Sequence, residues 1–282
     1  MNPKPYALRV GFLRGGIELR QTFTNLQDLW SHVFTPVVML VVLAFMRDST
    51  VPGTDFSMGV MALPSILGMF VAFGMVTAAN SLLIEREDGT LLRAKAVPDG
   101  MLGYLVGKLV TVSGMTLVSL LAFLLPALFL VDGVAVGDLG TWLEFTAVFV
   151  FGLLAVLPIG AVIGSLFSNP RNMGFVMLPV MGLIGISGIF YPITQLPMFL
   201  QWIAQVFPIY WLGLGMRAAL LPDAMATVEI GESWRHLETV GVLGVWIAAG
   251  LVVAPVVLRR MARRESGSAV QARKEKAIQR VA

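Results

Sequence analysis

The feature that most constrains this chain is a set of long stretches carrying no charged side chain. Leu29–Met46, Ser57–Ile84, Leu109–Val131, Phe145–Ser168, Asn172–Met216 and Thr239–Leu258 each run without an Asp, Glu, Lys or Arg. A helix needs roughly 20 apolar residues to cross about 30 Å of hydrocarbon, where no water satisfies backbone N–H and C=O groups. With 57% hydrophobic and 13% charged residues, and a mean hydropathy of +0.82, the chain reads as an all-α, polytopic membrane protein. Its 282 residues leave room for one compact helical domain and not for a second large soluble one.

The charges divide the chain. Residues 1–28 form an N-terminal interfacial segment: Lys4, Arg9, Arg14 and Arg20 stand among Leu8, Val10, Phe12, Leu13, Ile17 and Leu19. That composition suits an amphipathic helix on the membrane surface, although Gly11, Gly15 and Gly16 weaken helical propensity there. The first long apolar run begins near residue 29, too late for a cleavable signal peptide. Residues 29–258 are expected to hold six spans, at about 29–46, 58–84, 108–131, 145–168, 173–190 and 239–258. Residues 259–282 form a basic tail.

Asn172–Met216 is roughly twice the length that one span needs. It breaks at Tyr191-Pro192, at Pro197 and at Pro208. Two readings compete: a further complete span, or short helices that dip in and return to the same side. The excess of Lys and Arg on cytoplasmic loops decides between them. With six spans, the N-terminus, the charged island at 84–100, the Asn169-Pro170-Arg171 turn and the tail all face the cytoplasm, and only Arg47, Arg217 and Arg235 lie outside. Residues 192–216 are then re-entrant or lie on the outer surface. Residues 217–237, with Asp223, Glu229, Glu232, Trp234 and His236, are expected as an exposed outer cap.

Several chemistries are excluded. There is no cysteine, hence no disulfide and no thiolate site. The span interiors carry no Asp, Glu, Lys or Arg, which argues against an ion-coupled carrier. His32 and His236 are far apart and read as interfacial or loop residues rather than ligands. The one acidic cluster, Glu85, Glu87 and Asp88, is interrupted by Arg86, so no metal centre is expected. Gly103 to Lys108 is one residue short of a phosphate-binding loop, and Leu109 stands where a hydroxyl is needed. No catalytic residue and no nucleotide site is expected, and any power for transport comes from another chain. The net charge of +3 is modest, and the basic residues sit beside apolar segments, which points to membrane lipid and away from nucleic acid.

The island reads as a short cytoplasmic helix between spans two and three. Asp88 or Thr90 can cap it, Leu91 and Leu92 give it a small apolar surface, and Pro98-Asp99-Gly100 ends it. The stretch Glu85-Arg86-Glu87-Asp88-Gly89-Thr90-Leu91-Leu92-Arg93, followed by Pro98 and by Gly107-Lys108 leading into a span, resembles the E-R-E-x-G-T-L-x-R … P … G-K pattern of ABC-2 type permeases, the membrane subunits of ATP-binding-cassette exporters, with daunorubicin-resistance-type drug permeases as close relatives. It departs from that pattern at Leu92 and at Asp99-Gly100. The segment from Ser187 through Tyr191, Pro192, Leu196 and Pro197 to Pro208 is similar to the family's S-G-x-x-[FY]-P-x-x-x-L-P segment before the last span.

The resemblance implies an exporter subunit of the bacterial plasma (inner) membrane, with both termini cytoplasmic. Glu85, Arg86, Glu87, Asp88, Gly89, Thr90, Leu91 and Arg93 would form the coupling helix docked on a separate ATPase, which binds ATP and Mg. Tyr191, Pro192, Leu196, Pro197 and Pro208 would shape outer re-entrant helices. A second permease chain, identical or different, would complete a path for a hydrophobic or amphipathic cargo such as a drug, a lipid or a lipid-linked glycan. Polar residues within spans, Thr77, Asn80, Ser113, Thr116 and Ser119, are the candidates to line it, with helix–helix hydrogen bonding as the competing role. The alternative function is a non-transporting scaffold or assembly factor that docks a cytoplasmic partner through 84–100.

Overall fold

A computed structural model of the chain describes residues 3–51, 54–97, 99–134, 137–167 and 173–264. Among the described residues the regular structure is helical: α1 (Pro3–Thr24), α2 (Leu26–Met46), α3 (Met58–Glu87), α4 (Thr90–Lys95), α5 (Gly100–Leu130), α6 (Leu139–Leu166), α7 (Met173–Gly185), α8 (Met198–Val206), α9 (Pro208–Leu220) and α10 (His236–Arg264). Short polar side chains start several of them. Asn25 Oδ1 accepts from the Gln27 N–H at 3.0 Å, Ser57 Oγ from Gly59 at 3.1 Å and Asp138 Oδ2 from Gly140 at 3.0 Å, each satisfying a free donor of the first turn. The Ser57 hydroxyl also donates to the Arg47 carbonyl at 2.8 Å, which pins the α2–α3 turn.

Four helices, α3, α5, α6 and α10, are long and apolar enough to cross a membrane. With 30, 31, 28 and 29 residues, they reach roughly 42–46 Å at 1.5 Å per residue. The expected six spans are therefore matched in part. Among the described residues α2 carries a shorter apolar stretch, His32–Met46, and α7 has 13 residues, about 20 Å. α8 and α9 together pass the same test but are bent by 90° at Phe207, a geometry shared by broken spans and re-entrant segments. The boundaries also shift: α5 starts eight residues before the expected 108 and α6 six before the expected 145, whereas α7 stops at Gly185. Charge marks where hydrocarbon ends, whereas a helix continues into the head groups as long as its backbone bonds allow.

α3 is the hub, with Leu63, Ile66, Leu67, Val71, Ala72 and Ala79 fully buried. α6 approaches it through Gly160 and Gly164, and a β-carbon on Gly164 would stand 2.7 Å from the Ala79 carbonyl oxygen. α9 meets α3 where Gly68 faces Gly213. Such small residues, spaced four apart on α6, let helices touch backbone to backbone where lipid offers no hydrophobic drive.

α1 lies along α5, and here the glycines act against their propensity. The helix runs unbroken through Gly11, Gly15 and Gly16. A β-carbon on Gly11 would sit 2.6 Å from the Gly103 carbonyl oxygen, and one on Gly15 would sit 2.6 Å from that of Gly107. Gly11 and Gly15 are thus the contact itself; Gly16 faces open space. The opposite side of α1 presents Tyr6, Phe12, Leu13 and Ile17 outward. Phe45, Phe129, Val245, Leu251 and Val252 on the longer helices are exposed in the same way, an apolar exterior suited to lipid.

The expected exposed cap over 217–237 needs correction. Arg217, Met225, Val228, Glu229 and Trp234 are buried, with the charges of Arg217 and Glu229 facing each other at 2.8 Å, whereas Asp223, Glu232 and His236 are exposed as expected. Pro52-Gly53, Pro98, the Asn169-Pro170-Arg171 turn and the tail from residue 265 lie outside the described residues.

Candidate functional site

The island folds as the end of α3, a tight turn and α4. Gly89 takes φ +83°, which a side chain resists, and so reverses the chain between the two helices. Asp88 Oδ1 accepts from the Thr90 N–H at 2.7 Å, and Thr90 Oγ1 accepts from Arg93 Nη2 at 2.9 Å. Leu91 is the apolar anchor, buried in a cluster with Leu82, Tyr104 and Leu258.

Two of the eight predicted docking residues spend their charge inside the protein. Glu85 pairs with Lys108 of α5 at 2.5 Å, each side chain being 14% exposed. Arg86 is buried and donates to the carbonyls of Phe167 (2.5 Å) and Ser165 (3.3 Å). These lie at the end of α6, where unpaired carbonyls favour a cation. Gly89 and Leu91 are also buried, Glu87 and Thr90 are half-buried, and Asp88 and Arg93 are exposed, with Lys95 beside them. The surface open to a partner is therefore narrower than the motif.

α1 joins the root of the island through charge. Glu18 pairs with Arg14 at 2.8 Å and with Lys108 at 3.3 Å, and it accepts from the Thr111 hydroxyl at 3.1 Å. The Arg14 guanidinium lies over the Tyr104 ring, 5.4 Å from its centre. Burial alone pushes the Glu18 carboxyl up; the Arg14 hydrogen bond and the charge of Lys108 overcome it and hold the group below its ordinary value. One cluster thus ties α1, α3 and α5 at the island end.

A cavity of about 270 Å³ opens among α2, α3, α5 and α7. Its polar wall is His32, Thr35, Thr77, Thr116 and Ser119; its apolar wall includes Phe70, Phe73, Met115 and Met177. Three of the five residues predicted to line a path meet here. Asn80 is exposed one turn further along α3 and Ser113 is half-buried on α5; neither borders the cavity. His32, expected at an interface or in a loop, and Thr35, which sequence reasoning passed over, complete the wall.

The wall is built around a proline. Pro36 has no N–H, so the His32 carbonyl four residues earlier loses its helical donor. Ser119 of α5 donates to that carbonyl at 3.1 Å. The Thr77 hydroxyl donates to the Phe73 carbonyl at 3.2 Å and the Thr116 hydroxyl to the Val112 carbonyl at 2.9 Å. A proline inside an apolar run is a readable signal that some neighbour supplies a donor; which neighbour is not readable.

At the opposite end the three predicted breaks are real. Gly188 at φ +72° turns the chain after α7, and the Tyr191 hydroxyl donates back to the Gly185 carbonyl. Pro192 precedes a single 3-10 turn in which Ile193 is buried and which ends at Leu196; Pro197 caps α8, and Pro208 opens α9. α8 buries Ala204 and turns Met198, Phe199, Trp202 and Val206 outward. Behind it Arg217 of α9 pairs with Glu229 at 2.8 Å, both side chains fully buried. The Arg217 guanidinium also donates to Ser65 Oγ of α3 at 2.8 Å and to the Gly188 carbonyl at 3.2 Å. Sequence reasoning counted both charges as surface ones.

A protein-family model described as ABC-2 family transporter protein matches residues 33–254. No curated protein matches the chain at a significant level. The matched stretch takes in α3 through α9, and with them the island, the bent α8–α9 pair and every residue that lines the cavity except His32.

Proposed function

The chain belongs to the ABC-2 transporter family, and from that footing we propose that it is the permease subunit of an ATP-binding-cassette exporter. It moves a hydrophobic or amphipathic cargo (drug, lipid or lipid-linked glycan) outward with ATP hydrolysed by a separate subunit. The observation that carries the reading is the family match together with α4, a short helix seated between the ends of two long apolar helices with Asp88 and Arg93 facing outward. On this reading the ATPase docks on α4, and Glu85 and Arg86 pass its movement on. Glu85 does so through Lys108 to α5 and α1, and Arg86 does so through the end of α6.

The six-span topology belongs to the same proposal. α2 and α7 complete the crossings, α8 and α9 form an outer re-entrant pair, and both termini lie in the cytoplasm of a bacterial inner-membrane protein. A second permease chain completes the path. The cavity bordered by Thr77, Thr116 and Ser119 lies on it, with Asn80 and Ser113 on its cytoplasmic side.

The test is reconstitution in vesicles with the partner ATPase. The chain alone is expected to hydrolyse no ATP, and the double variant Asp88→Ala/Arg93→Glu is expected to lose at least ten-fold in ATP-driven cargo movement while remaining folded. Unchanged transport in that variant refutes docking through α4. Stable docking without movement of any cargo would favour the scaffold reading instead.

A further inference from the structure

The hydrogen-bond directions around the cavity say what kind of group fits it. Thr77, Thr116 and Ser119 each spend their single proton on a backbone carbonyl. A hydroxyl has one donor and two acceptor lone pairs, so what these three oxygens retain is acceptor capacity. The Ser119 bond is not incidental, since Pro36 leaves the His32 carbonyl without a helical donor. Among the described residues that line the cavity none is Asp, Glu, Lys or Arg, and His32 is the one titratable side chain.

Three kinds of head group meet this wall differently. An anionic group brings lone pairs against the oxygens of Thr77, Thr116 and Ser119, and of the remaining polar wall, His32 and Thr35, neither is a Lys or Arg that would compensate its charge. A permanent cation meets acceptors and the rings of Phe70 and Phe73, but no carboxylate, and a bare charge at membrane depth is strongly disfavoured. A neutral group bearing O–H or N–H donors pairs with the free lone pairs and carries no charge penalty. Phe70, Phe73, Met115 and Met177 then receive the apolar body attached to it.

We propose that this cavity binds the uncharged, hydrogen-bond-donating end of an amphipathic cargo, a hydroxyl- or amide-bearing group on an apolar body, and discriminates against anionic groups. The assignment rests on the permease reading for its role in export, but not for binding itself.

The experiment is equilibrium displacement of a fluorescent alkylglycerol from the purified full chain in phosphatidylcholine nanodiscs. The competitors share one alkyl body and carry a free diol, its di-O-methyl ether, a carboxylate or a trimethylammonium. The diol is expected to bind at least ten-fold more tightly than the ether and the carboxylate. Thr116→Val is expected to weaken the diol five- to ten-fold and leave the ether within two-fold, and Thr116→Ser, which keeps the oxygen, to restore the diol. Equal binding of diol and ether, tight binding of the carboxylate, no displacement by any of the four, or equal weakening of all four by Thr116→Val would overturn the assignment. No ATPase is present in this assay. Failure of ATP-driven transport in reconstituted vesicles therefore counts against the permease reading alone, and a lost head-group preference counts against the cavity alone.

Discussion

Arg217 and Glu229 are the residues whose removal should be felt most. Both are fully buried and pair at 2.8 Å, and Arg217 also reaches Ser65 and Gly188, joining α9, α3 and the turn after α7. Breaking such a pair from one side strands the other charge, at a cost of about 3–5 kcal/mol, whereas replacing both is far milder. Arg217→Met alone is therefore expected to lower the thermal stability of the solubilised protein sharply, and Arg217→Met/Glu229→Gln to recover most of the loss. Equal losses in the two variants would show that the pair itself is not what holds this end. Glu18 makes a second prediction. Its carboxyl is held below the ordinary value of 4.5, so its contribution is complete above that pH and is lost as pH falls through the lower folded value. The stability gap between the wild type and Glu18→Gln, measured by thermal unfolding, should be open at pH 6 and close as the buffer is taken below 4.5. Neither role was legible in the sequence, where Arg217 and Glu229 count as two charges beyond an apolar run. Charge counting reports which side a residue is on, and burial depends on partners 12 to 152 positions away.

At the scale of elements, prolines and glycines separate what was readable from what was not. The breaks at Tyr191-Pro192, Pro197 and Pro208 were visible because prolines cluster there, each disfavouring helix at the residue before it, and each stands at an element boundary, whereas the isolated Pro36, Pro64, Pro126, Pro158, Pro179 and Pro255 lie inside helices. Glycine misled in α1, because low helical propensity is a local property, whereas the close approach to Gly103 and Gly107 is a tertiary one. Gly15→Val places a branched side chain where a β-carbon would already lie 2.6 Å from the Gly107 carbonyl oxygen. It is expected to lift α1 from α5, which limited proteolysis in detergent would report as faster cleavage within residues 3–24. Gly16→Ala faces open space and is the matched control, expected to leave the cleavage rate unchanged. The island was legible as a helical element, but the helix expected over 85–100 is only Thr90–Lys95, because α3 runs on to Glu87 and α5 begins at Gly100. The island's inward half was not legible, since Glu85 and Arg86 look the same in sequence whether they meet a partner protein or Lys108 and the end of α6.

For the whole molecule, composition alone established a membrane protein, and the four longest helices agree with it. The path of the chain between α7 and α10 decides the topology. The absence of cysteine gives a clean background for single-cysteine labelling. With α8 and α9 re-entrant, Asp88→Cys should react with a membrane-impermeant maleimide only in inverted vesicles and Glu232→Cys only in intact cells. If the pair were a complete crossing, both positions would react from the same side. The contact between α1 and α5 also sets an order of events during synthesis. Gly11 and Gly15 leave the ribosome about 90 residues before Gly103 and Gly107, an interval of roughly 5 to 18 s at ordinary elongation rates of about 5–20 residues per second. Through that interval α1 has no docking groove, and its row of Tyr6, Phe12, Leu13 and Ile17 gives it a place to wait on the bilayer surface. Docking of α1 thus waits on α5 and can precede the synthesis of α6 to α10.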